Sequence, residues 1–376
     1  MIEPPAEGST AARRRSTRSV GPRSKPLPHV AFALVVGVGL TLGACTGSDS
    51  SSSEAEPPSS SETTTSPAWA RVDRALSGLG PDVGLLAASV SPDGTCRPVH
   101  EVAPSTARPT ASQFKLFVLG ALAEQVADGQ VSWDQTLTVE DAFRSLGNSQ
   151  ESGSLQFAAS GTPVSVEEAA TKMISISDNT ATDMLIALVG REDIEGQVRQ
   201  WTANAAANEP FLTTKEMFLL HYSAGLADRY LATPRDRRDA FLASSVDPLP
   251  IGEIASGFSV EPRYVHEIEW FASPDDICRT FAGLQVLSTE PALSPTLSAV
   301  LSREVGGIGL DPSEWPTVWY KGGSEPGVLT LGWLATNRDG ETFVVEAMVS
   351  NPDVVLSEDS ITDLVALAGE AFGLLD

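Results

Sequence analysis

From Thr317 the pattern of the chain changes, and that change does most to limit what it can fold into. Thr317–Lys321, Gly327–Thr336 and Thr342–Ser350 are strand-like, and Asn337-Arg-Asp-Gly340 supplies a tight turn between the last two. The stretch before them, roughly 213 to 305, carries helical spacing, with Thr213/Thr214 and Ser273-Pro274 as helix starts. Earlier still, Val83–Val90 and Arg97–Val102 read as strands flanking the Pro92-Asp93-Gly94 turn, behind a short helix over Arg71–Leu79. Ser360–Leu375 is amphipathic and closes the chain. A strand pair, many helices, a strand triplet and a terminal helix predict one α+β domain. Its antiparallel sheet would join the N- and C-terminal strands around a helical insert. With 376 residues, 41% of them hydrophobic, the chain has ample material for the core this requires.

The first 67 residues do not fit that domain. Arg13, Arg14, Arg15, Arg18, Arg23 and Lys25 make a basic leader, and Val30–Leu42 is an apolar run of 13 residues. That run is short for a bilayer span and right for the core of an export signal. It ends in Leu42-Gly43-Ala44-Cys45, a sequence like a bacterial lipobox, where small residues admit a peptidase and the cysteine thiol takes a lipid. Residues 1–45 are therefore expected to be a signal segment ending at a lipidated Cys45. An ordinary secretory signal with an incidental cysteine is the alternative. Residues 46–67, rich in Ser, Thr, Pro and Glu, have no apolar periodicity and read as a disordered tether with a reach of roughly 25 Å. The folded domain is expected over 68–376, on the extracytoplasmic face of the cell membrane and as a monomer. A formal charge of −24 argues against nucleic acid as a partner.

Thr110-Ala-Ser-Gln-Phe-Lys-Leu-Phe reads as the start of a buried helix, with Thr110 as its N-cap and Leu116, Leu119 and Ala123 as its apolar stripe. Gly120 on the same face would let another element come close. Ser112 and Lys115, three apart, share one face of the first turn. A lysine buried enough to lose its proton can activate such a hydroxyl. Downstream, Ser165-Val-Glu-Glu168 is a capping box. It opens a helix that leads to Ser177-Asp178-Asn179, in a loop ahead of another helix ending near Gly190. Lys321-Gly322-Gly323-Ser324 lies on a strand running into a turn.

Ser-x-x-Lys, Ser-Asp-Asn and Lys-Gly-Gly in this order, each in that setting, are the signature of serine β-lactamases and penicillin-binding proteins. From about residue 68 to its end the chain resembles this family, nearest to class A. MISISDNTATD and WYKGGSEPGV look most like its actinobacterial lipoproteins and the β-lactamase-fold hydrolases encoded with clavulanic acid biosynthesis. The resemblance implies a five-stranded antiparallel sheet with helices on both faces. It also implies an acyl-enzyme formed on Ser112 with Lys115 as its base, and Ser177 passing a proton to the leaving group. Asn179 would bind a substrate amide and orient Lys115, and Lys321 would attract a substrate carboxylate. The amides of Ser112 and Ser324, beside Gly323, would form the oxyanion hole. Substrates would be β-lactams, esters or peptidoglycan-type amides, with no cofactor.

Two departures bear on turnover. Gly322 stands where a Thr or Ser is common, which removes a carboxylate-binding hydroxyl. The class A deacylating glutamate, in Glu-x-x-Leu-Asn, has its nearest counterpart in Glu209-Pro-Phe-Leu-Thr213, which ends in Thr. If Glu209 does not serve, the acyl-enzyme would turn over slowly, and a catalytically poor, ligand-binding lipoprotein becomes the alternative function. Other chemistries find less support. There is no Gly-x-Ser-x-Gly elbow, and His29, His100, His221 and His266 are scattered without a metal-binding pattern. Cys96 and Cys278 remain either as one disulfide or as two buried thiols.

Overall fold

The computed structural model describes residues 66–146, 155–254 and 261–375. The signal segment, Cys45 and the tether as far as residue 65 lie outside them. Helix α1 (Pro67–Ser77) comes first, with Ser66 as its N-cap and Pro67 in the first turn, where its missing N–H costs nothing. The helix expected over 71–79 thus begins earlier and takes in the last residue assigned to the tether. Strands β1 (Asp82–Val90) and β2 (Cys96–Val102) follow, then the short β3 (Arg108–Pro109) and α2 (Lys115–Ala127). A small ribbon, β4 (Thr136–Thr138) with β5 (Pro163–Ser165), precedes α3 (Val166–Ser175), α4 (Asn179–Val189) and α5 (Arg191–Trp201). The insert continues with α6 (Thr214–Tyr222), α7 (Leu226–Ala232) and α8 (Arg238–Phe241). Then come β6 (Phe271–Ala272), which pairs with β3, α9 (Pro274–Leu287) and α10 (Thr296–Leu301). The chain ends with β7 (Thr317–Glu325), β8 (Val328–Thr336), β9 (Thr342–Ser350) and α11 (Glu358–Phe372).

The main sheet has the order β2-β1-β9-β8-β7, every neighbour antiparallel, so the N-terminal hairpin joins the C-terminal meander along β1 and β9. Both faces are covered. Alternate residues of β9 (Phe343, Val345, Ala347 and Val349) pack with Trp69, Leu76, Leu364 and Phe372 from α1 and α11. The residues between them, Val344 and Met348, face the larger core built from α2, α3, α4, α6 and α9. That two-sided burial is why β9 reads as a nearly unbroken apolar run, whereas the edge strand β2 is half exposed.

Close approach of α2, α5 and α9 depends on two glycines. A Cβ on Gly120 would meet the Trp201 ring at 2.3 Å, and one on Gly283 would meet it at 2.5 Å. Cys96 and Cys278 are joined by a disulfide, which ties β2 to α9 across a sequence separation of 182. No helix among the described residues is long and apolar enough to cross a membrane.

Candidate active site

The turn that carries Ser112 is tighter than a helix start. Residues Ala111–Phe114 form a 3-10 turn, and the α-helix begins only at Lys115. In a 3-10 turn, positions three apart eclipse one another, which sets Lys115 directly beside Ser112. Thr110 does not cap the helix, contrary to expectation: its backbone is already helical and its hydroxyl donates instead to the Trp270 carbonyl at 3.1 Å. Ala111 sits at φ 43, a strained conformation for a residue with a side chain.

Lys115 Nζ lies 3.0 Å from Ser112 Oγ, 2.8 Å from Ser177 Oγ, 2.8 Å from the Ser177 carbonyl and 2.7 Å from Asn179 Oδ1. Ser177 can offer both its carbonyl and its hydroxyl because it too is left-handed, at φ 56. Two of the four neighbours are carbonyl oxygens that only accept. A neutral amine satisfies them with its two N–H groups and keeps its lone pair for a hydroxyl proton. Burial, reinforced by repulsion from Lys321, drives the Lys115 pKa well below its ordinary value, against the pull of Asp178 and Asp183. Asn179 is held by its amide donating to the Leu146 carbonyl at 2.5 Å, and Asp178 caps α4 through the Ala181 amide.

Lys321 Nζ donates to Ser177 Oγ at 3.2 Å and to the Gly322 carbonyl at 2.6 Å. Burial lowers its pKa to about 7. Gly323 has a steric reason to be glycine: a Cβ there would stand 2.3 Å from the Thr110 carbonyl and 2.7 Å from the Ser112 amide. Its absence lets β7 lie against the Ser112 turn. At Gly322 the space that a Thr side chain would enter is already filled, because a Cβ would meet the Tyr320 hydroxyl at 2.2 Å. Beneath this strand Glu346, fully buried, accepts from Gln113 Nε2 at 2.7 Å, and the same amide reaches the Lys321 carbonyl.

Ser112, Ser177, Lys321, Gly323, Ser324 and Tyr320 border one open cleft of about 410 Å³. The residues named by the three motifs are thus brought together. Glu209 is not among them. Its carboxylate, 40% exposed, is paired with Arg199 Nη1 at 2.7 Å on the outer side of α5. Glu209, the sequence's candidate for water activation, is thus paired with Arg199 and does not line the cleft. His221, fully buried, bonds the Ile268 carbonyl at 2.6 Å, and burial lowers its pKa to about 4, as suits a packed core residue. Among the described residues no group of three or more His, Cys, Asp or Glu is placed to hold a metal ion.

Sequence reasoning missed Glu269 and Glu325. Both carboxyls are buried beside Ser112, together with Thr214 and Tyr222, in a second and smaller cavity. Neither belongs to a motif, although Glu325 directly follows Ser324.

The model of the Beta-lactamase enzyme family matches residues 73–242. No curated protein matches the chain at a significant level. Solved structures do. A β-lactamase from Sphaerobacter thermophilus superposes with a TM-score of 0.54 at 20% identity, over 81% of this chain and 98% of that one. A β-lactamase from Chitinophaga pinensis gives 0.55 at 16% identity, over 82% and 99%. A PBP-A variant, solved as an acyl-enzyme complex with penicillin G, gives 0.53 at 18% identity, over 82% and 96%. At these identities the likeness is one of fold. Residues 73–242 are thus similar to the Beta-lactamase enzyme family, and the chain shares the fold of serine β-lactamases and PBP-A.

Proposed function

We propose that this protein is an exported, lipid-anchored serine hydrolase that works through an acyl-Ser112 intermediate. Its substrates are β-lactams, esters or peptidoglycan-type amides, and it acts on the outer face of the cell membrane from an anchor on Cys45. The observation that carries the reading is the bonding of Lys115, whose amine has two carbonyls to donate to and the Ser112 hydroxyl, 3.0 Å away, to accept from. Lys115 takes the Ser112 proton as Oγ attacks the substrate carbonyl. The Ser112 and Ser324 amides receive the developing oxyanion. Ser177, bonded to both lysines, delivers a proton to the departing nitrogen or oxygen. Lys321 attracts a carboxylate on the substrate. The leader and lipobox support the anchored location.

The displacement of Glu209 to Arg199 favours a second reading, a protein that acylates and releases slowly and so behaves as a ligand-binding lipoprotein. Intact mass measurement with a penicillin, a cephalosporin and a small ester, beside Ser112→Ala, separates the readings. A lasting adduct that the substitution abolishes is binding with slow release. Ser112-dependent turnover is hydrolysis. Neither adduct nor turnover on any of the three would defeat the acyl-Ser112 reading.

A further inference from the structure

Glu269 and Glu325 meet next to the residue that would be acylated. Glu269 lies in the segment ahead of β6 and is 4% exposed. It accepts from the Trp270 amide at 2.9 Å and from the amide of Ala111, the residue before Ser112. Glu325 ends β7, one residue after the Ser324 amide. Its stem is half-exposed but its carboxyl is shut away. Among the described residues no N–H or O–H reaches Oε1 of either side chain. The two carboxyls are instead in hydrogen-bond contact with each other. Two carboxylates cannot make that contact, so one proton must lie between them. Burial pushes both upward; the charge on Glu269 raises Glu325 further, whereas the bond from Glu325 favours the ionised form of Glu269. The pair borders a cavity of about 30 Å³ whose wall also includes Ser112, Asn179, Thr214 and Tyr222. That is room for a water molecule in reach of polar partners. Burial raises the Tyr222 pKa to about 12, so its hydroxyl stays neutral and does not compete as the base.

We propose that Glu269 and Glu325 act as a one-proton carboxyl pair that activates the water which hydrolyses the acyl-Ser112 intermediate. This rests on the acyl-Ser112 reading above. The ionised member takes a proton from the water as its oxygen bonds to the acyl carbon, and the carbonyl electrons move onto the oxygen held by the Ser112 and Ser324 amides. When the tetrahedral species collapses, the bond from the acyl carbon to Oγ breaks. The pair returns one proton to Oγ, so that ester and water become acid and free serine. A shared proton suits both halves of the step, because the same pair accepts and then donates. The work assigned to a single loop glutamate in class A enzymes falls here to two side chains from other elements.

The test is the lifetime of the acyl adduct in the full-length protein with Glu325→Gln and with Glu269→Gln, beside the unmodified protein and Ser112→Ala. Penicillin and a small ester are the probes, followed by intact mass. Either substitution is expected to leave adduct formation within about threefold and to lengthen its survival at least about tenfold, a modest share of what general base catalysis supplies. Glu269→Gln also touches the Ala111 and Trp270 amides. Glu325→Gln is therefore the primary variant and Glu325→Ala its replacement should either glutamine variant fail to fold. Adducts that decay within twofold of the unmodified protein's in the folded variants would overturn the proposal while leaving acylation of Ser112 intact. Absence of any adduct or turnover in the unmodified protein would instead remove the acyl-Ser112 reading, and the pair's role with it.

Discussion

Ser112 stands between two unlike neighbourhoods. On one side Lys115, Ser177, Asn179 and Lys321 are bonded to one another within 2.7–3.2 Å, so their hydroxyls and amines are fixed before any substrate arrives. On the other, Glu269 and Glu325 each bury an Oε1 that no N–H or O–H of the described residues reaches, and the two carboxyls contact each other. The first side is arranged for the proposed proton transfers of acylation, from Ser112 to Lys115 and from Ser177 to the leaving group. The second sets two buried carboxyls around a space sized for water. On the proposed mechanism, bond formation and bond hydrolysis fall to different sides of Ser112, and each side can be damaged separately.

The largest expected effect is on the amine side. Lys115→Met removes the only base bonded to Ser112 Oγ among the described residues and is expected to slow adduct formation by at least about a hundredfold. A rate within tenfold of the unmodified protein's would break the division between the two sides. A smaller effect separates the two lysines. Lys321 has its pKa lowered to about 7, so its ammonium, which attracts a carboxylate, is present below that pH and lost above it. Acylation by penicillin relative to acylation by a neutral ester is expected to fall as pH rises through about 7. Taking the ratio cancels the titration of Lys115, which both substrates share. Lys321→Met should lower the same ratio by about tenfold at pH 6 and remove its pH dependence. A ratio flat with pH in the unmodified protein would deny Lys321 this role. The smallest effect belongs to Glu209. An exposed pair such as Arg199–Glu209 contributes little, so Glu209→Gln should leave stability within about 0.5 kcal/mol and adduct lifetime within about twofold. A lifetime lengthened tenfold would return water activation to Glu209.

The amine side was legible in the sequence because its information is local. Ser112 and Lys115 are one turn apart, Ser177 and Asn179 open one helix, and Lys321 to Ser324 occupy one strand end. The five-stranded sheet was legible for a similar reason, since strand-like stretches at both ends of the chain have to pair somewhere. The carboxyl side was not, because Glu269 and Glu325 come from separate elements and meet only when the segment ahead of β6 lies under the end of β7. Glu209 was singled out because Glu209-Pro-Phe-Leu-Thr213 is nearest to Glu-x-x-Leu-Asn, and nothing in that stretch reveals that Arg199, on the preceding helix, pairs with the carboxylate. The strained φ of Ala111 and Ser177 was invisible as well, since neither is the glycine that marks such backbone. The Gly322 departure looked like a lost hydroxyl, yet the Tyr320 ring two residues away fills that space. Cys96 and Cys278 could be paired by elimination but not shown to meet, because their closeness depends on α9 lying across β1 and β2.

The most direct test of the central claim is the mass of the protein after incubation with penicillin, taken beside Ser112→Ala. An increase equal to one whole penicillin, absent from the Ser112→Ala protein and located on the peptide that contains Ser112, is the result expected. Ser112-dependent consumption of penicillin without a lasting adduct would agree with it and speak for fast water activation. An adduct that survives the loss of the Ser112 hydroxyl would contradict the account.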